Sequence, residues 1–196
     1  MPTTHLLYLH GFRSSPQSTK ARAMQARLAA THPHVTWWCP QLPPSPRAAM
    51  AGVMQGIAGW PRAQMAVVGS SLGGFYATWV AEETACPRVV VLNPAVDPAR
   101  DLARHIGEQT AWHDPQELFY FSPEFIDELR ALACPRLTAP GRYHALITKG
   151  DEVLDWREMS ARYAPGHVKL LAGGDHAISD FDQHLDEVLG WLDLAA

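Results

Sequence analysis

The residues best suited to covalent chemistry lie in Gly69-Ser70-Ser71-Leu72-Gly73, a Gly-x-Ser-x-Gly pattern with only Ser71 in frame. The apolar run Met65-Ala66-Val67-Val68 precedes it and a stretch of helical character, about 73–84, follows it. Ser71 therefore falls on a sharp strand-to-helix turn of the nucleophile-elbow type, which pushes a hydroxyl into the open and aims the first helical N–H groups at whatever it attacks. A Gly/Ser-rich loop that merely caps a helix is the plainer alternative. A serine nucleophile needs a base, and the base needs an orienting carboxylate. Of ten histidines, His176 is singled out because it follows Gly173-Gly174-Asp175, after the last apolar run and before the last helical stretch. Asp151 sits likewise in Lys149-Gly150-Asp151, just beyond the run Ala145-Leu146-Ile147-Thr148. The order Ser, Asp, His, each beyond a strand's carboxyl end, is that of the elbow hydrolases. Glu152, Asp155, Asp175 and above all Asp97 compete for the carboxylate role, with Asp151 preferred; an ordinary loop histidine is the alternative for His176.

Acyl transfer also needs donors for the oxyanion. The N–H of Leu72, the residue after the serine, supplies one, and His10-Gly11-Phe12 is placed to supply the other through Phe12 N–H. His10 itself reads as a structural residue of that loop. No His-x-x-x-His or comparable zinc spacing and no Gly-rich phosphate loop occurs, so neither metal nor cofactor is expected.

Elements that place these groups are legible as alternating short apolar runs and helical stretches. The runs are 6–9, 35–38, 65–68, 89–92, 145–148 and 168–171; the helices fall near 18–30, 46–58, 73–84, 123–133, 156–163 and 179–192. Near-continuous hydrophobicity fits strands covered on both faces, and the alternation predicts an α/β fold with a parallel sheet and helices on both sides. Ser122 before Pro123 and Asp155 with Glu158 are the expected helix starts. The Pro-rich piece 40–46 reads as a rigid loop. About fifty residues separate Asn93 from Tyr143, more than a crossover needs. The excess, about 97–142, is expected to be a small helical cap or insertion in one domain spanning 1–196. Its aromatics between Trp112 and Phe125 either roof an acyl pocket or pack the insertion down.

With 196 residues, 47% apolar and 18% charged, the chain is long enough for one well-packed domain. A net charge of −4 argues against nucleic acid or an anionic membrane surface as partner. Cys39, Cys86 and Cys134 each precede a proline and form no Cys-x-x-Cys pair, so reduced thiols in a cytoplasmic protein are expected. No run approaches the length of a membrane span. Arg13, Lys20, Arg22 and Arg27 could meet a CoA phosphate, although a solvated helix face is the favoured reading. Nothing in the sequence fixes an oligomeric state.

Taken together, the blocks Leu6-Leu7-Tyr8-Leu9-His10-Gly11-Phe12, Ser14-Ser15-Pro16, Pro40-Gln41-Leu42-Pro43-Pro44, Val68-Gly69-Ser70-Ser71-Leu72-Gly73-Gly74, Asn93-Pro94-Ala95-Val96, Gly150-Asp151-Glu152-Val153-Leu154-Asp155 and Gly173-Gly174-Asp175-His176-Ala177 are similar to those of a known family. The chain resembles the YqiA-type small bacterial esterases of the α/β-hydrolase superfamily. That resemblance implies a three-layer fold with a mostly parallel sheet of about six strands, and Ser71, Asp151 and His176 as nucleophile, acid and base. It also implies cleavage of short-chain carboxylic esters, with acyl-CoA thioesters as a further substrate class. The chain departs from the family pattern at Arg13 and across about 99–142. Two other functions share the scaffold: a non-catalytic binding protein, and a cofactor-free haloperoxidase or perhydrolase using the same three residues.

Overall fold

The computed structural model describes residues 1–111, 114, 116 and 118–194. In chain order its elements are β1 (His5–Leu9), α1 (Thr19–Thr31), β2 (Thr36–Trp38), α2 (Pro46–Gly56), β3 (Met65–Ser70), α3 (Leu72–Thr84), β4 (Arg88–Leu92), α4 (Pro98–Asp101), β5 (Gly107–Thr110), β6 (Leu118–Phe121), α5 (Glu124–Ala131), β7 (Tyr143–Thr148), α6 (Trp156–Tyr163), β8 (His167–Leu171) and α7 (Leu185–Trp191). Six strands form one sheet in the order β2-β1-β3-β4-β7-β8. Every neighbouring pair in it is parallel.

Alternation along each strand divides the core between two faces. Leu7, Leu9, Val67, Val89, Val91, Ala145 and Ile147 point into a cluster closed by Met50 and Val53 of α2, Phe75 and Val80 of α3, Leu129 of α5 and Met159 of α6. Leu6, Tyr8, Ala66, Val68, Val90, Leu92 and Leu146 point the other way, onto Met24 and Leu28 of α1 and Leu185, Val188 and Leu189 of α7. With both faces dry, the central strands must be apolar at nearly every position, and β3 is buried at all six of its residues.

Sheet order reverses beside β1. The chain leaves β1 for α1 on one face and leaves β3 for α3 on the other, so the two adjacent strand ends part and leave a crevice between them. Open α/β sheets place their ligands at such a switch point. His10-Gly11-Phe12 and Ser71 flank this one.

The segment between β4 and β7 is helical at its two ends, in α4 and α5, and carries between them an antiparallel pair, β5 with β6, that the sequence pattern did not reveal. Gly107-Glu108-Gln109-Thr110 has no apolar alternation. Its conformation is held by partners outside the segment, by β6 along its whole length and at its end by Arg13, which donates from Nε to Thr110 O at 2.6 Å and from Nη2 to Thr110 Oγ1 at 2.7 Å. Glu128 of α5 docks the other end, accepting from Ser45 Oγ (2.7 Å) and Arg47 N (3.0 Å) at the start of α2. Asp155 caps α6 as expected, through Arg157 N at 2.9 Å, but Glu158 does not close a capping box. It pairs with Arg100 of α4 instead. Ser122 does not cap α5 either, because its hydroxyl is bonded to the Glu124 carboxylate. The last helical stretch is broken into a 3-10 turn, Phe181–Gln183, followed by α7.

Candidate active site

Ser71 joins β3 directly to α3 with φ 56° and ψ −124°, a left-handed conformation rare for a residue with a side chain. Strain of this kind, of order 1–3 kcal/mol, persists only where the surroundings fix it. Here Ser71 N donates to Leu92 O at 3.0 Å, and Ser71 O accepts from Ala95 N at 3.0 Å. Both flanking glycines are required by close backbone approach. A Cβ on Gly69 would fall 2.0 Å from Gly73 O, and one on Gly73 would fall 1.9 Å from Leu9 O.

Three distant stretches of chain meet at this turn. His176, in the loop after β8, has Nε2 3.0 Å from Ser71 Oγ and Nδ1 2.7 Å from Asp151 Oδ2. The ionised carboxylate can only accept, so Nδ1 carries the proton, and the Nε2 lone pair is left to accept from the serine hydroxyl. Asp151 is held in turn. Its side chain is fully buried, and Oδ1 accepts from Val153 N and Leu154 N, both at 2.8 Å. Among its competitors, Asp97 caps α4 through Arg100 N, Asp155 caps α6, and Asp175 accepts from Ser179 N and Oγ. Glu152 is closer to the site, accepting from the backbone N of His176 at 2.9 Å.

His10 belongs to the scaffold. It is 3% exposed, accepts from Leu42 N at Nε2 (3.1 Å) and therefore donates from Nδ1 to Gly11 O (3.0 Å). This pins the Pro-rich loop 40–46 to the loop that crosses Ser71, where a Cβ on Gly11 would lie 3.1 Å from Ser71 Cβ.

Asn93 is a site residue that sequence reasoning gave no role. Fully buried directly after β4, it spreads its two Nδ2 hydrogens over Thr148 Oγ1 (2.9 Å), Asp175 O (3.0 Å) and His176 O (3.2 Å). Its Oδ1 accepts from Thr148 N at 2.8 Å. One side chain thus ties the ends of β4 and β7 to the His176 loop. The available signal was an amide following a strand with no other polar residue beyond its first position.

Two cavities open on either side of the Gly11-Phe12 loop. A smaller one, about 200 Å³, is walled by Phe12, Leu42, Leu72, Tyr76, Ala111 and Phe119. A larger one, about 440 Å³, contains Ser71, His176, Tyr8, Ser18 and Lys20. The aromatics of 112–125 divide between the two expectations. Phe119 lines the smaller cavity, whereas Phe121 is buried between Phe12 and Phe125, with edge-on ring centroids at 5.1 and 5.5 Å. Tyr120 is exposed, and Trp112 lies outside the described residues. The four basic residues expected on a solvated face do not all behave so: Arg13 clasps Thr110, Lys20 donates to Ala177 O and Arg27 pairs with Asp186. Among the described residues no group of three or more His, Cys, Asp or Glu is placed to hold a metal, and no helix is long and apolar enough to cross a membrane.

Solved structures with the same fold are numerous. The esterase domain of a Rhodothermus marinus protein superposes with a TM-score of 0.71 at 17% identity, covering 98% of this chain and 88% of its own. Mouse alpha/beta hydrolase domain-containing protein 10 gives 0.68 at 17% identity, over 96% and 90% of the two chains. Est1E from Butyrivibrio proteoclasticus gives 0.66 at 16% identity, over 98% and 86%. At such identities the likeness establishes the fold, that of the α/β hydrolases. The sequence model of the uncharacterised protein family UPF0227 matches residues 5–193, nearly the whole chain, and the protein belongs to that family.

Proposed function

We propose that the protein is a serine hydrolase that cleaves short-chain carboxylic esters by way of an acyl-enzyme. The observation that carries this reading is the unbroken chain from Ser71 Oγ through His176 (3.0 Å) to buried Asp151 (2.7 Å) on a strained strand-to-helix turn. The esterases and hydrolases among its structural neighbours are consistent with it.

In this reading His176 Nε2 takes the hydroxyl proton as Ser71 Oγ attacks the ester carbonyl. The carbonyl oxygen, now negative, rests on the N–H groups of Phe12 and Leu72. Leu72 is the first residue of α3, so its N–H has no partner within the helix and lies at the positive end of the helix dipole. Each such donor contributes about 3 kcal/mol to the transition state. Collapse of the tetrahedral species expels the alcohol, which leaves with the proton from His176. A water deprotonated by the same nitrogen then attacks the acyl carbonyl, and collapse returns Ser71 and releases the acid. Asp151 holds the Nδ1–H tautomer and stabilises the imidazolium without taking the proton itself.

The smaller cavity supports the choice of short acyl groups. It adjoins the Phe12 and Leu72 donors, is predominantly apolar, and at about 200 Å³ is below the roughly 300–1,000 Å³ of pockets that hold drug-sized ligands. The test is hydrolysis of p-nitrophenyl esters of increasing chain length, alongside the matching acyl-CoA thioesters. Turnover is expected to peak at short chains and to vanish in Ser71→Ala; hydrolysis undiminished in Ser71→Ala would refute the reading.

A further inference from the structure

The larger cavity holds a cation that acyl transfer does not employ. Lys20, the second residue of α1, lines it together with Ser71 and His176. One of its three N–H groups is donated to Ala177 O. Burial pushes the ammonium down to about 8, against the pull of Asp175 and Asp151, so it remains charged at neutral pH. Neither carboxylate is given over to it: Asp151 is committed to His176, and Asp175 to Ser179. The wall beside Lys20 is polar, with Tyr8, Ser18 and Ser70 among its lining residues.

Position determines what this cavity receives. His176 Nε2 must deliver its proton to the departing oxygen or sulfur, so the leaving group lies on the His176 side of Ser71. Only the larger of the two cavities beside the Gly11-Phe12 loop is lined by His176. We propose that the cavity formed by Lys20, Ser18, Tyr8 and His176 selects substrates whose leaving alcohol or thiol bears an anionic group, a carboxylate or a phosphate, that pairs with Lys20. This inference rests on the hydrolase reading and extends it to substrate class. A partly desolvated ammonium discriminates strongly here, because its hydrogen bonds to an ionised oxygen are charge-assisted and the neutral competitor leaves it unpaired.

The test compares three butyrate esters of meta-substituted phenols, bearing a carboxamide, a carboxylate or a phosphate monoester. Their kcat/KM values are measured for the wild-type protein, Lys20→Met and Lys20→Arg. The readout is the anionic-to-neutral ratio in wild type divided by that in the variant, which cancels the intrinsic reactivity of each ester. It also cancels any loss common to all three from releasing the Ala177 tether. The expected value for Lys20→Met is about tenfold, as one charge-assisted hydrogen bond supplies. For Lys20→Arg it stays near one, and in Lys20→Met the preference should lose its dependence on added salt. A gain confined to the carboxylate or to the phosphate ester identifies which anion the cavity takes. A ratio near one for both anionic esters in Lys20→Met overturns the proposal while leaving the hydrolase reading intact. Absence of turnover of all three esters, with Ser71→Ala indistinguishable from wild type, removes that reading and this proposal together.

Discussion

Replacing Asn93 gives the sharpest view of how the scaffold holds the site. Asn93→Asp keeps the size of the side chain and the acceptor that meets Thr148 N, but it exchanges the Nδ2 donor for an oxygen. That oxygen would face Thr148 Oγ1, Asp175 O and His176 O at 2.9–3.2 Å, three acceptors with no hydrogen left between them. Thr148 Oγ1 cannot turn to help without abandoning Asp175 O, to which it donates at 2.9 Å. Asp175 O keeps Thr148 Oγ1 and Ile178 N as donors, but Thr148 Oγ1 and His176 O each lose the amide hydrogen that met them, at about 1–3 kcal/mol each. A total near 3 kcal/mol lowers the midpoint of thermal unfolding by roughly 6–12 °C for a chain of this size. The larger effect is expected on activity, since the released carbonyl belongs to His176 itself. A displacement of the imidazole by about 1 Å costs on the order of a hundredfold. The assay pairs thermal denaturation with kcat/KM on p-nitrophenyl butyrate, measured well below the new midpoint. Activity within about twofold of wild type in a folded Asn93→Asp protein would refute the idea that this amide positions the His176 loop.

Further predictions follow from other parts of the structure. Asp151→Asn, which keeps the shape but favours the wrong histidine tautomer, should lower kcat by about 10⁴ with the thermal midpoint little changed. Gly73→Ala drives a Cβ to 1.9 Å from Leu9 O, and overpacking of that kind costs about 3 kcal/mol, readable as a fall in the unfolding midpoint and in folded yield. Arg13→Met removes both hydrogen bonds to Thr110, so amide exchange at 107–110 should accelerate while a fluorophosphonate still labels Ser71. Burial opposes ionisation of Glu82, but hydrogen bonds from Thr138 and Tyr143 and the Arg142 charge outweigh it and hold its carboxyl below the ordinary range. That stabilisation is complete above the unfolded-state value and lost as pH falls through the folded one, so wild type should lose stability in acid relative to its neutral value more steeply than Glu82→Gln.

Much of the site was legible because its chemistry is tied to the sheet. Ser71, Asp151 and His176 each follow an apolar run, and parallel strands must all end on the same edge, so their order alone predicted convergence. The central strands were legible because both their faces are buried: every residue of 65–70 and of 143–148 is shielded, and the runs 65–69 and 145–147 hold no polar side chain. The β5–β6 pair was not, since Gly107-Glu108-Gln109-Thr110 lacks alternation and is held by β6 and by Arg13, a contact 97 residues away in the chain. The same holds for Lys20 and Asn93. A lysine on the first turn of a polar helix reads as solvated until α1 is packed beside the His176 loop, and an amide after a strand shows no role until the ends of β4, β7 and β8 are brought together.

Trapping the acyl-enzyme tests the central claim most directly. Quenching the reaction with p-nitrophenyl butyrate in acid during turnover, followed by proteolysis and mass spectrometry, should find the butyryl group on the peptide containing Ser71, at Ser71 Oγ. It should be absent in Ser71→Ala and strongly diminished in His176→Ala. Steady hydrolysis with no acylated Ser71, or with the acyl group carried by another residue, would contradict the account.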